Sequence, residues 1–129
     1  MGGTLRESAP GEFGGLRLAA VSIAFGDSTK TIDSLAVGDV VVQCWAEVLT
    51  AFNAGTTNVL TLGDGTTANK YLTSSDVTEG TLGVYPTGGK GPFAAEAAAG
   101  TLTVTFAQTG TAATTGSARV YALISSAAV

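Results

Sequence analysis

The stretch DVVVQCWAEVLTAF, Asp39 to Phe52, decides the fold because its apolar and polar residues alternate. One parity carries Val40, Val42, Cys44, Ala46, Val48 and Phe52, and the other carries Gln43, Trp45 and Glu47. A period of two over this length predicts a β-strand with one buried face. A helix would place Gln43 and Glu47 among apolar neighbours, and its β-branched valines would disfavour it.

Similar alternation occurs on both sides of this stretch. LRLAAVSIAF (16–25) and KTIDSLAVGD (30–39) predict strands before it, and TTNVLTLGDG (56–65) predicts one after it. Near the end of the sequence, TLTVTFAQTG (101–110) and GSARVYALI (116–124) alternate again. The residues expected to face the core there are Leu102, Val104 and Phe106 in the first, and Ala118, Val120, Ala122 and Ile124 in the second.

The segments between these strands are less regular. YLTSSDV (71–77) and TLGVYP (81–86) predict short strands, the second ended by Pro86. PTGGKGP (86–92) is interpreted as an exposed hairpin tip, and KGPFAAEAAAG (90–100) as a loop. About eight short strands joined by turns predict an all-β fold, an antiparallel β-sandwich of jelly-roll-like type. The domain is expected to span residues 16–129, behind a flexible glycine-rich arm at 1–15.

Composition excludes several classes of function. The chain has 129 residues, of which 45% are hydrophobic and only 12% charged, about half the usual charged share. Its net charge of −4 argues against sequence-independent binding of nucleic acid. No apolar run is long enough for a membrane-spanning helix, and the single cysteine fits a reducing cytoplasm. The low charge indicates that part of the surface lies against another chain.

The sequence contains few of the residues that catalysis and metal binding usually require. The absence of histidine removes the Ser-His-Asp triad and the imidazole ligands of metals. Cys44 shares its parity with the valines and is expected to be buried and inert. Asp64 in GDG is interpreted as a turn residue rather than a calcium or phosphate ligand, since its neighbours lack the required ligand spacing. Asp76 and Glu79 are interpreted as solvated loop carboxylates, so no catalytic residue, cofactor or metal is expected.

Two aromatic residues are candidates for partner contacts. Trp45 and Tyr121 fall on the parity opposite to the apolar series of their strands. Exposed aromatics on a strand often contact a partner chain or a sugar. The alternative is that loops cover both faces of these strands. Arg6 and Phe13, in the predicted arm, are further candidate contacts.

The runs VVQCWAEVLTAFNAGTTNVLTLGDG, YLTSSDVTEGTLG and TLTVTFAQTGTAATTGSARVYALI resemble the small head accessory proteins of tailed bacteriophages. Several of those proteins are capsid decoration, or cement, proteins, and the likeness covers about Val40 to Ile124. It implies a β-sandwich that trimerises, binds the major capsid protein on the outside of the head, and catalyses nothing. It also implies an N-terminal arm that orders on binding. The expected location is therefore the outer capsid surface of the virion.

Two other classes of function stay open at this point. A receptor-binding or fibre module of the virion would carry an exposed aromatic cluster in a groove at the tip of the sandwich. A glycan-active or other enzyme would need a pair of carboxylates in a cleft.

Overall fold

The computed structural model describes residues 15–88 and 90–126 and contains seven named strands. The predicted arm therefore lies outside the described residues, except for Gly15. The strands are β1 (Leu16–Ala24), β2 (Thr29–Leu35), β3 (Val40–Thr50), β4 (Thr57–Gly63), β5 (Gly83–Pro86), β6 (Gly100–Thr109) and β7 (Ser117–Ser125). They form a four-stranded sheet in the order β1-β7-β3-β5 and a three-stranded sheet in the order β2-β6-β4. All pairs are antiparallel.

The hydrophobic core draws its side chains from both sheets, which confirms the antiparallel sandwich. The two late strands keep the predicted alternation throughout. Leu102, Val104 and Phe106 are buried, and so are Ala118, Val120, Ala122 and Ile124. Phe52 and Phe106 meet across the core with their ring centroids 4.6 Å apart. Burial of these apolar side chains is the main term that stabilises the fold.

The first part of β3 departs from its predicted parity. Cys44, Ala46 and Val48 are buried as expected, but Val41 is buried and Val40 and Val42 are only half-buried. The register with β7 shifts between Val41 and Gln43. A bulge inserts one residue and so exchanges the inward and outward positions on its two sides. The prediction that Val40 and Val42 face the core is therefore wrong.

Two predicted elements are absent from the described chain. YLTSSDV is a loop that touches β4 through one isolated bridge, Leu62 to Leu72, so it is not a strand and the named strands number seven rather than eight. PTGGKGP is not a hairpin tip, because β5 and β6 belong to different sheets. Its Thr87 is buried, and the Thr87 hydroxyl donates to Gln43 Oε1 at 3.2 Å. The loop prediction for KGPFAAEAAAG is correct up to Gly100, where β6 begins.

The solvent side of the three-stranded sheet is rich in threonine. Thr105 on the central strand β6 is the cross-strand partner of Thr29 on β2 and of Thr61 on β4. At one end of the sheet, Thr57 on β4 lies opposite Thr109 on β6. The hydroxyls of Thr57 and Thr109 are 2.6 Å apart and hydrogen-bonded. Threonines paired in this way favour extended backbone and present a polar, uncharged surface to water.

Candidate interaction surface

The solvent side of the four-stranded sheet, called the outer face below, is much less polar than its threonine-rich counterpart. Its strands contribute Leu16, Leu18, Ala20 and Ser22 from β1, Arg119, Tyr121 and Leu123 from β7, Gln43, Trp45 and Glu47 from β3, and Val84 and Pro86 from β5. Leu18 is 60% exposed and Val84 is 61% exposed, at the two margins of the sheet. Exposed apolar side chains on one face mark interaction sites on soluble proteins where they form a sufficiently large patch.

Trp45 and Tyr121 lie together at the middle of the outer face. They are direct cross-strand partners, and their rings stack with centroids 5.2 Å apart and planes at 16°. Each is half-buried, and the stacking accounts for part of that burial. An offset-stacked pair forms a rigid apolar platform that loses little conformational entropy when a partner covers it. The sequence prediction that these two residues point away from the core is thus consistent with the sheet register.

A charged row runs beside the aromatic pair. Arg119 and Glu47 are cross-strand partners, and Glu47 is also paired with Val84 of β5. The Tyr121 hydroxyl donates to Glu47 Oε1 at 3.5 Å, and hydrogen bonding to Tyr121 raises the pKa of Arg119. Arg119 is exposed, whereas Arg17, Lys70 and Lys90 are engaged in internal ion pairs. The outer face therefore places one exposed cation and one anion next to an apolar platform.

Asp64 is a turn residue, as predicted. Its Oδ1 accepts hydrogen bonds from the backbone N–H groups of Thr66 and Thr67, and Gly65 has a φ of 87°, a conformation that favours glycine. The Thr67 N–H and the ammonium of Lys70 hold the Asp64 pKa below its usual value. A carboxylate with a lowered pKa is ionised at neutral pH and is a poor general acid.

Lys70 links two loops whose contact could not be predicted from the sequence. Its Nζ lies 3.0 Å from Asp64 Oδ2 and 3.1 Å from Glu96 Oε2, and the Tyr71 hydroxyl donates to the same Glu96 oxygen. Burial, followed by the contact with Glu96, raises the pKa of Tyr71. Asp64 and Glu96 both line one pocket of the described chain. The ammonium of Lys70 is within ion-pair distance of both carboxylates and thereby links the two loops.

The interpretation of Asp76 and Glu79 as solvated carboxylates is wrong. The Asp76 side chain is only 9% exposed, and Asp76 Oδ2 accepts from the Thr73 N–H at 2.8 Å and from Lys90 Nζ at 2.7 Å. Glu79 is buried, and its Oε2 accepts from the Leu60 N–H at 2.9 Å. Both carboxylates fix the loop between β4 and β5, since each satisfies a backbone donor.

Among the described residues, no group of three or more cysteine or acidic side chains is placed to hold a metal ion. Nor do the described residues include a helix long and apolar enough to cross a bilayer. Arg6 and Phe13 lie outside the described part of the chain, so their predicted contacts stay predictions.

Among the solved structures that share this fold are two chains from phage capsid structures. One belongs to the cyanophage Pam1 capsid asymmetric unit: the TM-score is 0.67 at 24% identity, and the match covers 92% of this chain and 91% of that one. This is a fold found in phage capsid structures. The other belongs to the acidic stable capsid structure of Helicobacter pylori bacteriophage KHP30, with a TM-score of 0.66 at 16% identity and coverage of 91% and 92%.

The two matches extend over almost the whole of each chain, so the shared unit is the entire sandwich rather than a common sheet motif. No family model matches the chain, and no curated protein matches it. At these sequence identities the likeness establishes only the fold. The functional side chains have to be inferred from the structure of this protein itself.

Proposed function

We propose that this protein is a phage virion structural protein of the decoration, or cement, class, which binds the outer surface of the major capsid shell and stabilises the head. The observation that carries the proposal is the nearly complete mutual coverage with chains from two phage capsid structures. The resemblance of Val40 to Ile124 to head accessory proteins points in the same direction, and it narrows the role from capsid component to decoration.

The charge of the molecule supports a position outside the shell. Packaged DNA is strongly anionic, so a chain with a net charge of −4 is repelled from the inner surface. Its charged side chains are few, and most described basic residues are used in ion pairs within the chain. Binding through a surface of this kind gains more free energy from burying apolar area against a partner than from long-range electrostatic attraction.

The receptor-binding alternative receives less support from the geometry. It calls for an aromatic cluster in a groove at the tip of the sandwich. Among the described residues, the stacked pair Trp45 and Tyr121 lies instead in the middle of a sheet face. The homotrimer stays a prediction from the resemblance.

Binding to capsids tests the proposal directly. Purified protein is mixed with capsids that lack it, and the mixture is sedimented through a sucrose gradient. We expect saturable cosedimentation with the capsids and an increase in the temperature at which the decorated capsids lose their shape in electron micrographs. The same protein after thermal denaturation is the control for trapping. Protein that stays at the top of the gradient while it binds host cells would instead favour a receptor-binding module.

A further inference from the structure

We propose that the predicted homotrimer forms through the outer face, with three copies arranged around a three-fold axis that runs parallel to the strands. The inference rests on the trimer that accompanies the proposed function, and it adds the surface that joins the copies. In this ring the outer face of each copy faces the axis, and the β1 margin of one copy meets the β5 margin of the next. The threonine-rich surface lies on the outside of the ring.

The outer face supplies apolar side chains at both of the margins that meet. Leu16 and Leu18 on β1 and Val84 on β5 are among the exposed large apolar residues of the described chain. They lie on opposite sides of the sheet, since β1 and β5 are its two outer strands. A cyclic interface joins two different patches of the same chain, so a closed ring covers both margins in every copy.

The middle of the outer face fits the space around the axis. Neighbouring strands lie about 4.8 Å apart, so the outer strands of a four-stranded sheet are separated by about 14 Å. Three faces of that width enclose a narrow space, which large side chains on the two central strands can fill. Trp45 on β3 and Tyr121 on β7 occupy this position and stack on each other there. Large aromatic side chains of this kind are enriched where protein interfaces are most buried.

The charged row has the order that the ring requires. Arg119 lies on β7, towards the β1 margin, and its cross-strand partner Glu47 lies on β3, towards the β5 margin. An axis parallel to the strands keeps the rows of all copies level, so Arg119 of each copy faces Glu47 of the next. Cations and anions then alternate around the axis. The same row contains Ser22, close to the end of β1, so the charges lie near an open end of the ring, where water lowers the cost of burying them.

The axis also places the first described residue of every copy at one end of the ring. Gly15 precedes β1, and rotation about an axis parallel to the strands does not change the end at which it lies. The three chains therefore enter the ring from the same side, as the predicted arms require if they are to reach one capsid surface together. A two-fold axis perpendicular to the strands would place the Gly15 residues of two copies at opposite ends.

A pair of introduced cysteines tests which surface joins the copies. Ser22 on β1 and Val84 on β5 belong to the same row, so the ring brings Ser22 of one copy next to Val84 of the following copy. Within one chain these positions are separated by about 14 Å, too far for a disulfide. The full-length protein with both Ser22→Cys and Val84→Cys is oxidised and separated under denaturing conditions, and we expect covalent trimers that reduction abolishes. Val84→Cys combined with Thr105→Cys, on the outside of the ring, is the matched control and should stay largely monomeric.

Charge reversal distinguishes a three-fold ring from a two-fold pair. Glu47→Arg and Arg119→Glu each place like charges at every junction, so each is expected to raise the dissociation constant by about tenfold or more. Both changes in one chain restore opposite charges at every junction and should restore the trimer. A 1:1 mixture of the two single variants cannot do so, because an odd number of junctions leaves at least one between two copies of the same variant. Circular dichroism verifies that all variants remain folded.

Sedimentation velocity without capsids is expected to give the wild type three times the chain mass of 12.7 kDa. A wild-type monomer or dimer, or a mixture of single variants that associates as fully as the wild type, would overturn the ring. A trimer with no more cross-linking than the control would mean that another surface joins the copies, and would overturn this inference alone. Cross-linked trimers that fail to cosediment with capsids would support the ring and contradict the proposed function.

Discussion

At the scale of single residues, several buried polar side chains accept hydrogen bonds from backbone N–H groups. Glu79 accepts from the Leu60 N–H, and Asp76 accepts from the Thr73 N–H. An important difference between their environments is the presence of a cation beside Asp76. Asp76 has Lys90 at 2.7 Å, whereas burial is the largest influence on Glu79. The two carboxylates should therefore affect stability in opposite directions as the pH changes.

Burial raises the pKa of Glu79 in the folded protein despite the hydrogen bond from Leu60. The folded state then binds a proton more tightly than the unfolded state. The stability that Glu79 contributes to the folded protein is therefore lost as the pH rises through its folded pKa. Glu79→Gln is expected to increase the free energy of unfolding at pH 7, with a gain that shrinks as the pH falls towards about 4. Urea denaturation across this range is the measurement. A variant less stable than the wild type at pH 7 would contradict the expectation.

Asp76 is the matched comparison. Burial acts to raise its pKa, but the hydrogen bonds from Lys90 and Thr73 outweigh burial and lower it. Its contribution is therefore present above the pKa of the unfolded state and is lost as the pH falls through the folded pKa. Asp76→Asn is expected to cost about 1–3 kcal/mol at pH 7 and less in acid. If the loss did not diminish in acid, the ionised form of Asp76 would not be the stabilising species.

Cys44 is another buried group, and it is expected to perform no chemistry. It is fully enclosed, and burial raises the pKa of its thiol to about 12. We expect a thiol reagent to label the folded protein only as fast as the protein unfolds, and Cys44→Ala to cost about 0.5–1.5 kcal/mol. Rapid labelling without denaturant would show that the thiol is accessible.

At the scale of elements, the strands were predictable where a local rule decides them. The alternation in β6 and β7 is uninterrupted, so the side of each residue follows from counting. The bulge in β3 depends on how β3 pairs with β7, and a repeat of three valines contains no signal that one of them is inserted. The burial of Glu79 likewise depends on Leu60, which lies in another element. Sequence alternation located Trp45 and Tyr121 on one face, but it could not show that they stack.

The contact between two loops through Lys70 is also a tertiary feature, and it supplies a prediction. Lys70→Met removes the cation from Asp64 and from the buried Glu96, so we expect it to lower the free energy of unfolding by about 1–3 kcal/mol. Lys30→Met is the matched control, because Lys30 is exposed and its Nζ lies 3.9 Å from Asp27. The control should change stability by less than about 0.5 kcal/mol. Equal losses in the two variants would indicate a general effect of removing positive charge.

At the scale of the whole molecule, Arg17 forms an ion pair between the two sheets at one side of their shared core. Its Nε lies 2.8 Å from Asp33 Oδ2, which joins β1 of one sheet to β2 of the other. Among the described residues, the sandwich from β1 onward has a core built from both sheets. The predicted role of the arm can therefore be tested by a truncation that stops before β1.

Removal of residues 1–14 is expected to leave the melting temperature nearly unchanged and to weaken attachment to capsids. The physical reason is that each arm adds contact area, and several arms on one oligomer act together. The measurement compares binding of the truncated and full-length proteins to capsids in the same gradient. If both bind equally tightly, the arm has no part in attachment.

The position of β7 determines when the four-stranded sheet can form during synthesis of the chain. This last strand lies between β1 and β3, so the four-stranded sheet has a gap until Ser125 has left the ribosome. The pairing of β1 with β7 also joins residues that are far apart in the sequence, such as Ser22 and Arg119, which are 97 positions apart. Chains dominated by such distant pairs fold slowly, in about milliseconds to seconds. The nascent chain therefore exposes apolar strands for most of its translation, and its low abundance of charge gives it little protection from aggregation during that interval.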